Sequence, residues 1–191
     1  VLRDHRAVLL PAMILTCVLT SAVVVLVVIT PTMMQKPFGM SPSHTFALSA
    51  LGIVFLNIGC VLAGLLVDRI GAWRAVLVYS LLLPVGIAVL YASLISGGVW
   101  LGAAYAVAGL SCGVVGAVPS VMVGLFPAQV RVSGISFTYN IAYALWASTT
   151  PLLLIALMPT SPWICVGYCV VMGAVGVASV ALFGKRHTLA A

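Results

Sequence analysis

One stretch of the chain carries polar and aromatic side chains at a spacing that could bind a small solute. They recur four, three and four residues apart, which predicts a single helical face because such positions lie above one another on a helix. Hydroxyls, an amide and ring faces on one side of a helix could contact a polar solute. Packing between helices would use the same residues, and both interpretations stay open. The residues are Tyr139, Tyr143, Trp146 and Thr150, with Asn140 beside them.

A second pattern, Gly-Leu-Ser-Cys-Gly at 109–113, matches the Gly-x-Ser-x-Gly motif of serine nucleophiles. That motif needs a strand before the serine and a helix after it, whereas here it lies inside a long glycine-rich apolar stretch. A serine nucleophile inside a membrane would instead need a histidine at similar depth. The three histidines, His5, His44 and His187, fall at or beyond the ends of the apolar stretches. We therefore predict that the chain is not an enzyme.

The composition predicts an integral membrane protein. Hydrophobic residues make up 64 % of the chain and charged residues only 5 %. A soluble domain carries roughly 25 % charged residues, so this chain could not cover its surface in water. Its eight lysines and arginines are scattered, which argues against a nucleic-acid partner. The five cysteines lie in apolar runs without a Cys-x-x-Cys pair, so no metal or cofactor is predicted.

Six apolar stretches are long enough to cross a bilayer as helices, which takes about 20 residues each. Loops are predicted at 31–42 and 68–74, with a further loop through Arg131, and residues 1–6 and 185–191 form two tails. The predicted fold is an all-α polytopic membrane protein. Its transmembrane helices are predicted at about 7–30, 43–67, 75–95, 99–125, 134–157 and 163–184.

The basic residues predict the orientation of the chain. Six spans place both termini on one side of the membrane, and seven of the eight lysines and arginines then share that side, leaving only Lys36 opposite. Lysine and arginine are enriched in cytoplasmic loops, so both termini are predicted to be cytoplasmic. The seven residues are Arg3, Arg6, Arg69, Arg74, Arg131, Lys185 and Arg186.

Small and polar residues inside the spans predict close helix contacts. Gly52 and Gly59 fall seven residues apart, on one face of the second span, and would let a partner helix approach closely. Asn57 lies near the middle of the same span, where its amide needs a hydrogen-bond partner on another helix or on a solute. The fourth span is rich in glycine, as expected of a close-packed or bending helix. Its glycines are Gly102, Gly109, Gly113, Gly116 and Gly124.

Two motifs resemble those of the major facilitator superfamily. GLLVDRIGAWR, Gly64–Arg74, resembles its loop motif, in which glycine leads to Asp-Arg and then to glycine and basic residues. FPAQVRVSGISFTYN, Phe126–Asn140, followed by Pro151, resembles the pattern FPxxVRxxGxxxxYN…P of its metabolite:proton symporters. Those symporters include permeases for proline/betaine, 2-oxoglutarate, citrate and shikimate. The resemblance covers nearly the whole chain and matches the carboxyl-terminal half of such a transporter.

The resemblance implies half of a twelve-helix secondary active transporter, with the substrate site between the two halves. The implied activity is symport of a small polar metabolite, an organic acid or a zwitterion, with protons across a bacterial-type inner membrane. The implied partners are the solute, protons, the lipid bilayer, and an amino-terminal six-helix half or a second copy. Cavity-facing candidates are Asn57, Tyr139, Asn140, Tyr143 and Trp146. Candidates for gating at the cytoplasmic ends are Gly64, Asp68, Arg69, Gly71, Arg74, Pro127 and Arg131.

Proton coupling needs a titratable group within the membrane. Asp4 and Asp68 are the only acids and lie outside the predicted spans, so the coupling group is expected in the other half. The chain alone is therefore not expected to drive uptake against a gradient. Two alternatives stay open: a truncated or split remnant acting as a non-transporting six-span membrane protein, and a half that pairs with a copy of itself. A first residue of Val1 agrees with a fragment or a processed chain.

Overall fold

The computed structural model describes residues 6–159 and 161–184, and every regular element within these residues is a helix. Six helices are long and apolar enough to cross a membrane, which confirms the predicted all-α multi-pass architecture. The side of the membrane that each end faces stays a prediction. Of the two predicted tails, residues 1–5 and 185–191 lie outside the described residues, and Arg6 is already helical. The helices are α1 (Val8–Gln35), α2 (Pro42–Ile70), α3 (Ala72–Ile95), α4 (Leu101–Leu125), α5 (Arg131–Leu157) and α6 (Ile164–Gly184).

The first helix is longer than predicted, and the predicted loop at 31–42 is wrong over its first five residues. α1 changes to a π-helix over Val24–Ile29 and then continues as an α-helix over Thr30–Gln35. Pro31 therefore lies inside the helix, in the first turn of its last segment. Because the helix is continuous through Pro31, the N–H that proline lacks would leave a carbonyl oxygen one turn earlier without a backbone donor.

Two other predicted loops are also too long. Asp68 and Arg69 belong to the last turn of α2 and Arg74 to the first turn of α3, so Gly71 alone separates the two helices. Its φ of 88° and ψ of 154° lie in a region that is essentially restricted to glycine. This conformation reverses the chain in one residue. Arg131 is likewise the first residue of α5 rather than part of a loop.

The six helices pack as two corresponding units of three. Helix α1 packs against α4, α5 and α6, and α4 packs against α1, α2 and α3. We match α1, α2 and α3 in order with α4, α5 and α6. The packing of α1 on α5 then corresponds to the packing of α4 on α2, and the packing of α1 on α6 corresponds to the packing of α4 on α3. Because each unit contains three successive helices that could each cross a membrane, the second unit would run in the opposite direction. Two pairs depart from this correspondence: α4 and α5 contact each other less extensively than α1 and α2 do, and α5 and α6 less extensively than α2 and α3 do.

The backbones of α2 and α4 touch at glycines. A methyl group at Gly59 would lie 2.7 Å from the carbonyl oxygen of Leu110, and one at Gly109 would lie 2.5 Å from that of Gly52. A methyl group at Gly116 would similarly crowd the backbone of α2. These contacts confirm that the glycine face of α2 receives a partner helix. Gly102 and Gly124 of α4 do not take part, because space remains around both.

Candidate functional site

The predicted polar face lies on the half-buried side of α5. The rings of Tyr139 and Tyr143 stack, with centroids 5.5 Å apart and planes inclined by 19°, so the two residues are neighbours on one face as their spacing predicts. Both rings pack against the buried core, and the main neighbour of α5 is α1. This face is therefore turned towards the bundle, with part of each ring still accessible.

Trp146 lies one turn beyond Tyr143 and holds an unused hydrogen-bond donor. Its indole Nε1 is buried, and no acceptor contacts it in the part of the chain that the structure describes. Leaving a buried N–H unpaired costs about 1–3 kcal/mol, so such a group is a ready donor for an acceptor that enters later. Neither of the two grooves described for the bundle is lined by Trp146 or by the tyrosine pair.

The two predicted asparagines are exposed on different helices. Asn140 Nδ2 donates to the carbonyl oxygen of Ser136 at 2.7 Å, and Asn57 Nδ2 donates to that of Ile53 at 2.8 Å. Each amide thus bonds to its own helix and keeps its oxygen available. Helix α2 packs on α4 whereas α5 packs on α1, so the structure does not bring Asn57 to the face on α5. Contact of these residues with a solute stays a prediction.

The motif at 64–74 forms the tight connection between α2 and α3. Asp68, Arg69 and Arg74 are all exposed there, and Gly64 has open space around it. Within the described ranges Asp68 makes no ion pair closer than 4.0 Å with either arginine. The three charged side chains are thus close in sequence and accessible to charged groups of another protein segment. Their role in gating stays a prediction.

The motif at 126–140 has a local structural explanation. The Phe126 ring is buried against Gly134, where even a methyl group would overlap it. Arg131 Nε donates to the carbonyl oxygen of Phe126 at 3.2 Å, while Pro127 is exposed. Phenylalanine, arginine and glycine together fix the short connection from α4 to α5. The arginine is thereby held beside the end of α4 at the start of α5.

A hydroxyl network that we did not predict joins three helices. Tyr168 on α6 lies 2.9 Å from Ser21 Oγ on α1 and 2.7 Å from Thr150 Oγ1 on α5. Ser21 donates its only proton to the carbonyl oxygen of Cys17, so Tyr168 must donate to Ser21 and Thr150 to Tyr168. A tyrosine in an apolar stretch needs such a partner, which was the available sequence signal.

A second unpredicted arrangement occurs where α1 and α4 cross. α4 is interrupted at Cys112–Gly113, with the Cys112 sulfur 3.9 Å from the carbonyl oxygen of Ala22 on α1. Close by, α1 adopts its π-helical segment at 24–29. The two helices at the centre of the bundle therefore both lose regular α-helical geometry in the interior of their spans.

Ser111, the serine of the Gly-x-Ser-x-Gly pattern, is helical and ends the first segment of α4, Leu101–Ser111. Its Oγ donates to the carbonyl oxygen of Ala108 at 2.7 Å, and Gly86 of α3 packs directly against it. The hydroxyl is therefore occupied and enclosed. Among the described residues no group of three histidine, cysteine or acidic side chains could hold a metal ion.

These features define an all-helical protein with six potential membrane spans. No family model, no curated protein and no solved structure matches the chain. The candidate site accordingly rests on the contacts above and on the motifs in the sequence.

Proposed function

We propose that the chain is the carboxyl-terminal half of a secondary active transporter, a symporter that moves a small polar metabolite with protons. The observation that carries the proposal is the correspondence between α1–α3 and α4–α6, two units of opposite direction with matching packing partners. Inverted repeats of three helices occur within each six-helix half of major facilitator transporters. The motifs at 64–74 and 126–140 favour the same superfamily.

The irregular centres of α1 and α4 support this proposal. Secondary transporters build substrate and ion sites near the middle of the bilayer from helices whose regular geometry is interrupted. Here the interruptions fall on the two corresponding helices, at Val24–Ile29 of α1 and at residues 112–113 of α4. An interruption of this kind is tolerated only where protein or a polar cavity satisfies the backbone.

The least buried helices indicate where the other half packs. Helices α2 and α5 have the smallest buried share of the six, and each exposes an asparagine inside its span. An amide facing lipid tails would leave its oxygen without a donor, which is unfavourable in the bilayer. We therefore assign the exposed faces around Asn57 and Asn140 to a second six-helix unit, either an amino-terminal half or a second copy.

The solute that fits the face on α5 carries a hydrogen-bond acceptor. Trp146 Nε1 is a buried donor without an acceptor among the described residues, and Tyr139 and Tyr143 present ring faces beside it. A carboxylate would satisfy the indole N–H, and a cationic or planar group would suit the rings. An organic acid or a zwitterion meets these requirements. The proton-coupling group lies on the other half, since the spans of this chain contain no acid apart from Asp68 at the end of α2.

Tryptophan fluorescence of the protein in nanodiscs tests the proposed site. Proline, glycine betaine, 2-oxoglutarate, citrate and shikimate are titrated in turn, with the expectation that one of them changes the emission saturably. The change should disappear in Trp146→Phe and persist in Trp100→Phe, because Trp100 is 75 % exposed in the connection before α4. A response that is equal in the two variants would place the solute elsewhere.

The charged connection is proposed to act as a gate on the cytoplasmic side. Asp68, Arg69 and Arg74 would hold the ends of the two halves together in one conformation and release them in the other. In the assembled transporter, Asp68→Asn is expected to shift the ratio of inward-open to outward-open molecules, measured by spin-label distances. An unchanged distance distribution would count against the gate.

A further inference from the structure

We propose that a membrane phospholipid binds with one acyl chain in a wedge-shaped groove between α5 and α6. The groove has a volume of about 550 Å³ and lies between the end of α5 and the beginning of α6. This proposal requires only that the six helices span a membrane and is independent of any transport activity. The main lining residues are Leu153, Leu157, Trp163, Gly167, Tyr168 and Val171.

The groove exists because α5 and α6 contact each other over only a small area, where one hydrogen bond joins them. Thr150 and Tyr168 meet at 2.7 Å, Tyr168 lines the groove, and the groove extends from there towards the connection between the two helices. That connection is six residues long, 158–163, whereas Gly71 alone joins the corresponding helices α2 and α3. The wedge is thus one of the two places where the second unit departs from the packing of the first.

Water does not suit this groove. A buried water needs two to four polar partners. The Tyr168 hydroxyl already donates to Ser21 and accepts from Thr150, and Ser161 is the one other lining residue with a polar side chain apart from the Trp163 indole. The remaining lining residues are aliphatic or glycine. The occupant must therefore be apolar along most of its length.

The position of the groove makes a lipid tail the apolar occupant. Both walls belong to potential membrane spans, and Leu153 and Val171 on their edges are 50 % and 57 % exposed, so the groove opens sideways to the bilayer. Trp163, 48 % exposed at its mouth, has the side chain that typically marks the headgroup level of a membrane. A headgroup near Trp163 would place its acyl chain along the groove towards Tyr168.

Gly167 allows a direct test, because it lines the groove and has no atom within 4 Å of a potential Cβ. Gly167→Phe therefore introduces a ring into the groove from a position where the added Cβ meets no protein atom. Gly124→Phe is the matched control, because Gly124 has equally open surroundings and lies on α4, outside the groove. Phospholipid retained on the detergent-purified protein is counted by native mass spectrometry after reconstitution with a single phosphatidylethanolamine species.

We expect one tightly retained phospholipid on the wild-type protein and on Gly124→Phe. Gly167→Phe should bind it about tenfold more weakly, the loss expected when roughly two methylene contacts are displaced. Val171→Trp, which narrows the groove from its exposed edge, should weaken binding in the same direction and serves if Gly167→Phe does not fold. Equal retention by the wild-type protein and the groove variants, or no retention by the wild-type protein, would overturn the proposal.

Discussion

The hydroxyl group of Tyr105 on α4 lies 3.2 Å from the backbone carbonyl oxygen of Leu26 on α1. In a π-helix this carbonyl would accept the N–H of the residue five positions later, which is Pro31. Proline has no N–H, so the tyrosine supplies the donor that the helix lacks. An unpaired carbonyl would be costly in an apolar interior. Tyr105 therefore explains how α1 continues through its proline.

Tyr105→Phe should destabilise the protein by about 1–2 kcal/mol, because it leaves the Leu26 carbonyl oxygen without its donor. The free energy of unfolding in mixed micelles measures this loss. Tyr139→Phe is the control, since the Tyr139 hydroxyl forms no hydrogen bond within the described ranges, and it should change stability by less than about 0.5 kcal/mol. If Tyr105→Phe costs no more stability than Tyr139→Phe, the hydroxyl of Tyr105 does not stabilise the protein and only its ring contributes.

Gly59→Ala should destabilise the protein by about 1–3 kcal/mol, because the added methyl group would lie 2.7 Å from the Leu110 carbonyl oxygen. Gly64→Ala lies on the same helix with open space around it and should be neutral or stabilising by up to about 1 kcal/mol. Both changes are measured by unfolding in mixed micelles. If Gly59→Ala is tolerated as well as Gly64→Ala, the backbones of α2 and α4 are not in contact.

The six spans were predictable because hydropathy over about 20 residues reports membrane crossing directly. The packing face of α2 was predictable from Gly52 and Gly59 because small residues at helical spacing have few other uses in a membrane. The boundaries were less accurate. A single glycine at position 71 reverses the chain, and α1 runs through Pro31 only because a tyrosine 74 residues further on replaces the missing donor.

The contacts between distant residues could not be predicted from one sequence. The Thr150–Tyr168–Ser21 network and the wedge beside it depend on how α1, α5 and α6 are placed, which hydrophobic periodicity does not determine. The spacing predicted that Tyr139 and Tyr143 share one face of α5, but it did not predict whether that face turns towards the bundle or away from it. Tyr139 and Tyr143 turn towards the bundle while Asn140 is exposed, and no spacing rule separates these two outcomes.

Tyr168→Phe should loosen the junction of three helices, because it removes the hydrogen bond to Ser21 and leaves Thr150 without its acceptor. The expected loss is about 1–2 kcal/mol in the free energy of unfolding. Thr150→Val removes only the second bond and should cost about half as much. Hydrogen exchange in the last turns of α5 should increase in both variants. Unchanged exchange there would contradict the junction.

Gly71→Ala should destabilise the protein by about 1–3 kcal/mol, because an alanine at this φ and ψ is strained whatever space surrounds it. Gly124→Ala, in regular helix with open surroundings, is the matched control and should be neutral. Yield of folded protein and unfolding in mixed micelles are the readouts. A neutral Gly71→Ala would mean that α2 and α3 are not joined by this conformation.

Uptake of radiolabelled solute into proteoliposomes under a proton gradient tests the transporter assignment most directly. It is measured for the chain alone and for the chain joined at Val1 to the amino-terminal six spans of a metabolite:proton symporter. We predict accumulation above equilibrium only for the joined protein, and its loss in Trp146→Ala, because the proposed cavity needs both halves and the one acid within the spans of this chain is Asp68, at the end of α2. Accumulation by the chain alone, or a joined protein that is folded but moves none of the five solutes, would contradict the account.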